Sequence, residues 1–106
     1  MVLVTRGDLI PGYQAVQPAH ALARFAVKFP GAFKRWENFH KNLVILAVRN
    51  EKELRLLLDK AEERRIRCVE FKEPDIGNEM TAIALEPSVE TYKITSCLPL
   101  ALKKYA

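Results

Sequence analysis

LVILAVRNEKELRLLLDKA, residues 43–61, holds the two patterns from which the fold follows. Its first seven residues, 43–49, run almost without a polar interruption. That suits a strand covered on both faces better than one wetted on one side. Asn50 with Glu53 then makes a capping box in its Asn form. Beyond it, Leu54, Leu57, Leu58 and Ala61 recur at helical spacing, while Lys52, Arg55, Asp59, Glu62 and Glu63 mostly face water. A covered strand feeding an amphipathic helix predicts a sheet held between helices.

The neighbouring segments extend the pattern. VLVTR, residues 2–6, reads as a strand ending in the loop GDLIPG. A helix follows from about Gly12 to Phe29, kinked at Pro18, whose missing N–H costs roughly 3 kcal/mol in a helix interior. Pro30 and Gly31 end it, and a short second helix falls within AFKRWENFHKN, residues 32–42. IRCVEF (66–71) and MTAIALE (80–86) are strands on either side of the loop KEPDIGNE, residues 72–79. The tail LPLALKKYA, residues 98–106, is apolar then basic and is expected to pack on the sheet, with a last helix toward this end. The order is β-α-α-β-α-β-β-α. It predicts an α/β fold, one domain over residues 1–106, with a mainly parallel sheet and a crossover joining the first two strands.

The totals bound the function. Seventeen Lys and Arg against 13 Asp and Glu give a net charge of +4, which permits an anionic partner such as nucleic acid. Apolar residues make up 49%, an ordinary balance for a folded domain. The first apolar run, MVLV, is too short for a secretory signal, and no run approaches the length of a membrane span. Cys68 and Cys97 lack metal-ligand spacing and suit thiols in a reducing cytosol; a disulfide between them stays open.

The first helix carries the chemistry. At about 100° per residue, Tyr13, Gln17, His20 and Arg24 fall on one narrow polar stripe. Val16, Ala19, Leu22, Ala23 and Ala26 gather opposite and predict the buried face. Ligands of such sheets sit beyond the carboxyl ends of the strands. That rim holds residues 6–12 and is met by residues 72–78.

These residues resemble the type 2 peptidyl-tRNA hydrolases. VLVTRGDL followed by GYQAVQPAHA is similar to that family's opening pattern, with Arg6, Asp8, Leu9, Gly12, Ala15, Gln17, His20 and Ala21 matching. NEKELRLLLDKAEERRIR has the length and stripe of its second long helix; Asp75 and Gly77 match its D-A-G, and TAIALEP its last strand. The resemblance covers nearly the whole chain. It implies a four-stranded mixed sheet in an α/β/α sandwich, often a homodimer in the cytoplasm. It implies hydrolysis of the ester joining peptide to tRNA, without metal or cofactor. Two departures stand out. The family's functional lysine falls on Tyr13. The loop after Asp75 is shortened, and the family's loop threonine has no equivalent; Thr81 aligns with the threonine opening the last strand. Arg6 or Arg24 is left to supply the missing charge.

Each candidate has a plainer reading beside it. His20 is a general base or bonds a neighbouring carbonyl. Asp75 orients water or a ribose hydroxyl, or caps its own turn. Gln17 bonds substrate, or is the exposed half of a kinked turn. Tyr13 stacks on a terminal adenine or packs at the rim. Lys34 and Arg35, in the aromatic and basic stretch 28–41, grip nucleic acid, or are wet charges on a hairpin whose Phe29, Phe33 and Trp36 fill the core. The expected function is a cofactor-free peptidyl-tRNA hydrolase using Gln17, His20 and Asp75. The alternative is a silent module on the same fold that binds a tRNA end or a protein.

Overall fold

β1 (Val2–Arg6) has every residue buried. Such burial requires partners on both edges and cover on both faces. β2 (Val44–Val48) pairs parallel to it and β4 (Glu79–Leu85) antiparallel. β3 (Cys68–Glu73) adds antiparallel to the far side of β4, giving the order β2-β1-β4-β3. The computed structural model describes residues 1–103.

The sheet is therefore mixed, with one parallel pair, where the alternation of strands and helices led to a mainly parallel one. Only residues 74–78 join β3 to β4. A parallel crossover needs about a dozen residues or more, so this pair must be antiparallel. Parallel β1 and β2 are linked through α1 (Pro11–Lys28) and α2 (Pro30–Phe39). These helices cover one face, where Leu3, Ala82 and Ala84 meet Ala21, Phe25 and Trp36. α3 (Glu51–Glu63) and α4 (Val89–Thr95) cover the other, where Val2, Val4, Ile83 and Leu85 meet Leu54, Leu57, Leu58 and Ile94. Alternate residues of each strand thus serve opposite layers. The three-layer α/β/α arrangement around a four-stranded mixed sheet is as the resemblance implied.

Two expectations change. β2 is an edge strand, only partly buried at three of its five residues, while β1 and β4 hold the centre. The last helix precedes the tail: Ser88 caps α4, its hydroxyl accepting from the Thr91 N–H at 3.1 Å. The tail packs on the sheet's edge. Ala47 N–H donates to the Pro99 carbonyl and Ala101 N–H to that of Ile45, each at 2.9 Å, so residues 98–101 strap the free side of β2. Lys104, Tyr105 and Ala106 lie outside the described residues. Both cysteines are free thiols. Cys68 is buried, which pushes its thiol up to about 11, and Cys97 is exposed.

α3 starts as its sequence predicts, with Asn50 Oδ1 accepting from the Glu53 N–H at 2.9 Å and the leucine stripe buried. It ends in a Schellman motif. Arg65 N–H donates to the Glu62 carbonyl and Ile66 N–H to that of Ala61, both at 3.0 Å. This closure puts Arg65 at φ 56°, in the left-handed region. A side chain there is strained by about 1 kcal/mol or more relative to glycine. Arg65→Gly is therefore expected to raise stability by about 0.5–1 kcal/mol, read from urea unfolding midpoints at unchanged slope.

Candidate functional site

The orientation of α1 decides where the expected site residues go. Its buried residues are Gln17, Pro18, Ala21 and Phe25, and the helix continues through Pro18. Val16 and Val27 are 51% and 83% exposed. Ala19 and Ala23 are exposed too, so the face expected to be buried lies mostly outside. The reason is beneath the helix. Thr81 of β4 is fully buried, and a buried hydroxyl requires a partner. Gln17 supplies it: Thr81 Oγ1 donates to Gln17 Oε1 at 2.7 Å. Thr5 Oγ1 donates in turn to the Thr81 carbonyl at 3.3 Å. Gln17 is thus neither exposed nor on the open surface, and acts on its surroundings through Thr81.

The rim forms where expected. Arg6 closes β1 with only 7% of its surface exposed. Its Nε and Nη2 donate to the two oxygens of Asp8, each at 2.9 Å, and its Nη1 to Glu79 Oε1 at 2.7 Å and the Met80 carbonyl at 3.2 Å. These bonds engage four of the roughly five donors a guanidinium has. Arg6 is a strut between the loop after β1 and the start of β4, not a free cation. The same bonds raise its pKa and hold the Asp8 carboxyl below its ordinary 3.8. Gln14 Nε2 donates to the Leu9 carbonyl at 2.6 Å and steadies the loop. Gly7 N–H donates to the Val48 carbonyl at 2.7 Å, and a side chain there would crowd that oxygen, its Cβ lying 3.3 Å away.

Asp75 lies on the 3-10 turn Pro74–Ile76, on the same rim, exposed and capping nothing. Gly77 and Asn78 complete the reversal at φ 71° and 59°. Tyr13 is half-buried in the first turn of α1. His20 lies farther along the helix, its ring flat on Phe71 at 4.4 Å with 7° between planes. The Arg24 guanidinium lies 5.3 Å from the centre of the same Phe71 ring. With Lys28 they line a groove of about 650 Å³ between α1 and β3. Phe71 precedes Asp75 by four residues, and no hydrogen bond or ion pair joins His20 to Asp75 among the described residues. The expected trio is divided: Gln17 beneath α1, His20 along it, Asp75 at the rim.

Lys34 and Arg35 are exposed on α2. Arg35 lines a hollow with Glu86 and Pro87, beyond the carboxyl end of β4 and so at the opposite end of the sheet from Asp75. Trp36 is buried and Phe29 and Phe33 pack against the core, which is the hairpin reading of this stretch. A cleft that the sequence did not reveal, about 900 Å³, opens beside the rim between the ends of β1 and β2. Among the described residues no group of three or more His, Cys, Asp or Glu side chains is placed to hold a metal ion. No helix among them is long and apolar enough to cross a membrane.

This is a small α/β protein whose polar groups gather on loops beyond the carboxyl ends of β1 and β3. It belongs to the type 2 peptidyl-tRNA hydrolase family: the family model described as "Peptidyl-tRNA hydrolase PTH2" matches residues 1–100. Among curated proteins none matches the sequence. Among solved structures, a protein of unknown function from Agrobacterium tumefaciens strain C58 superposes with a TM-score of 0.67 at 17% identity. The match covers 93% of this chain and 94% of that one, and it shows the fold.

Two measurements check the rim. Asp8→Asn leaves the Arg6 charge with Glu79 alone and is expected to cost about 1–2 kcal/mol at neutral pH. An acid whose folded pKa is depressed stabilises fully above its unfolded value and loses that contribution as pH falls through the lowered one. The gap between wild type and Asp8→Asn should thus be constant near pH 7 and close below pH 3.8. Thr81→Val, which removes the donor to Gln17, should cost about 1–3 kcal/mol, and combining it with Gln17→Leu should recover part of that loss.

Proposed function

We propose that the protein hydrolyses the ester between a peptide and the terminal ribose of tRNA. The observation that carries the reading is the uncommitted Asp75 carboxylate on a rim otherwise locked by paired charges, in a chain of this family. Water adds to the ester carbonyl and the bond to the ribose oxygen breaks. Asp75 holds the water and takes its proton, which passes to the departing ribose oxygen. The Tyr13 hydroxyl donates to the carbonyl oxygen as it gains charge. It is a neutral donor where the family has a lysine, so it stabilises that charge less. Gln17 is a positioning residue that fixes the first turns of α1 through Thr81.

Arg24 supplies the cation for the nucleic-acid arm, and His20 over Phe71 offers an aromatic face to an unpaired base. Arg6 serves by holding Asp8 and Glu79 in place. Lys34 and Arg35 reach a part of the tRNA distant from the ester. The same reading takes a cytoplasmic setting, a homodimer, and chemistry without metal or cofactor as part of the proposal. The second reading, a silent tRNA-binding or protein-binding module, is favoured by one observation: Tyr13 in the lysine's place.

The test is hydrolysis of an N-acylated aminoacyl-tRNA by wild type, Asp75→Ala and Tyr13→Lys. Asp75→Ala is expected to lower kcat at least about 10-fold at unchanged stability, because its side chain is exposed and unbonded. Full activity in that variant would sink the assignment. An inert wild type that gains activity with Tyr13→Lys would instead establish the silent module.

A further inference from the structure

β1 and β2 are parallel neighbours, yet the chain leaves β1 for α1 on one face and β2 for α3 on the other. A switch of this kind opens a crevice beyond the carboxyl ends of the two strands, where open α/β sheets bind ligands. The 900 Å³ cleft lies at that place. Leu98, Leu100 and Leu102 of the strap form one wall; Asp8 and Pro11, from the loop after β1, form the other.

The charges around the cleft are largely answered within the protein. Arg49 pairs with Glu53 at 2.8 Å and Asp8 with Arg6 at 2.9 Å. Arg49 and Lys103 line it beside Asp8 and Glu53, so a ligand meets leucines in a lining of two cations and two carboxylates, with no net charge to draw a phosphate chain. The groove along α1 is of the opposite kind, with Arg24 and Lys28 beside the His20–Phe71 stack. The cleft borders the rim, because Asp8 lines it and is bound to the guanidinium that also reaches Glu79, whereas the groove starts at Phe71, two residues before the end of β3, and runs along α1.

A peptidyl-tRNA extends from its ester in two directions of unlike chemistry, one polyanionic and aromatic, the other a peptide. We infer that the switch-point cleft takes the peptide arm, its apolar side chains resting on Leu98, Leu100 and Leu102. The inference rests on the hydrolase reading. The backbone edge of β2 is already occupied by the strap. The peptide is thus held by side-chain burial and not as an added strand, which favours apolar peptides of varied sequence.

The test compares two substrates, tRNA bearing one N-acetylated amino acid and tRNA bearing an N-acetylated apolar hexapeptide. Leu100 and Leu102 are 55% and 49% exposed, so Leu100→Glu and Leu102→Glu leave the core intact. Wild type is expected to show a KM about tenfold lower for the hexapeptide, the scale of burying one leucine. Each variant should erase that advantage while kcat, and KM for the short substrate, stay unchanged. Equal KM values in wild type, or a variant that shifts both substrates alike, would overturn the inference. Binding of a fluorescent N-acetylated apolar hexapeptide is read separately. If wild type cleaves neither tRNA, the hydrolase reading fails. Peptide binding weakened by Leu100→Glu would then still support the cleft as a peptide site, and no binding would overturn it.

Discussion

A guanidinium inside a protein must be paired, because an unanswered buried charge costs several kcal/mol. Arg6 meets that condition at the end of the central strand, bound to both oxygens of Asp8 and to Glu79. The pairing does more than satisfy a charge. It fixes the loop after β1, from which α1 departs, against the first residue of β4, on which the β3–β4 turn closes. Asp75, the first turn of α1 and the cleft beside β2 all take their positions from this junction. Both partners of Arg6 are partly exposed, so the strut is strongest at its buried end and yields toward solvent.

α1 then acts as a partition. On one side are a half-buried Tyr13, the Gln17–Thr81 bond and the stack of His20 on Phe71. On the other are the loop after β1 and the leucines of the strap. Small residues make the partition thin: Ala21 of the helix lies over Ala82 and Ala84 of β4, all fully buried. Pro18 sits buried in the same interface, where the packing of its ring offsets part of its cost to the helix.

What the sequence made legible was local. The Asn50 cap, the leucine stripe of α3 and the strand at residues 2–6 all depend on neighbours a few residues apart. What it hid was contact between distant segments. The helix α1 has two half-apolar faces, and periodicity alone favours the one with more carbon. Thr81, far along the chain, reverses that choice by presenting a buried hydroxyl whose shorter bond, 2.7 Å against 3.4 Å to the Phe71 carbonyl, goes to Gln17. Likewise a run as apolar as residues 43–49 reads as a strand buried on both faces, yet β2 is an edge strand, partly buried at three of its five residues, its free side covered by residues 98–101. The last helix was expected but not placed, because a seven-residue helix hardly shows a period, although Ser88 three residues before Thr91 is a capping signal. Of the site, the motif residues were legible. Their separation into buried, stacked and exposed positions was not, since it depends on strand order. The cleft has no motif, being made by where two strands end.

The order β2-β1-β4-β3 also governs when this chain can fold. β1 precedes every other strand of the sheet in the chain, yet Val2 pairs with Leu85 and Leu3 with Ala84. Until residue 85 is available, the strand that is buried at every residue has one open edge, and both layers of helices lack their common floor. Contacts so distant in sequence impose a large loop-closure entropy before they return any stability, which slows folding. A nascent chain of this protein is thus committed to late, all-at-once assembly, with β1 in need of protection from other unpaired edges until β4 arrives.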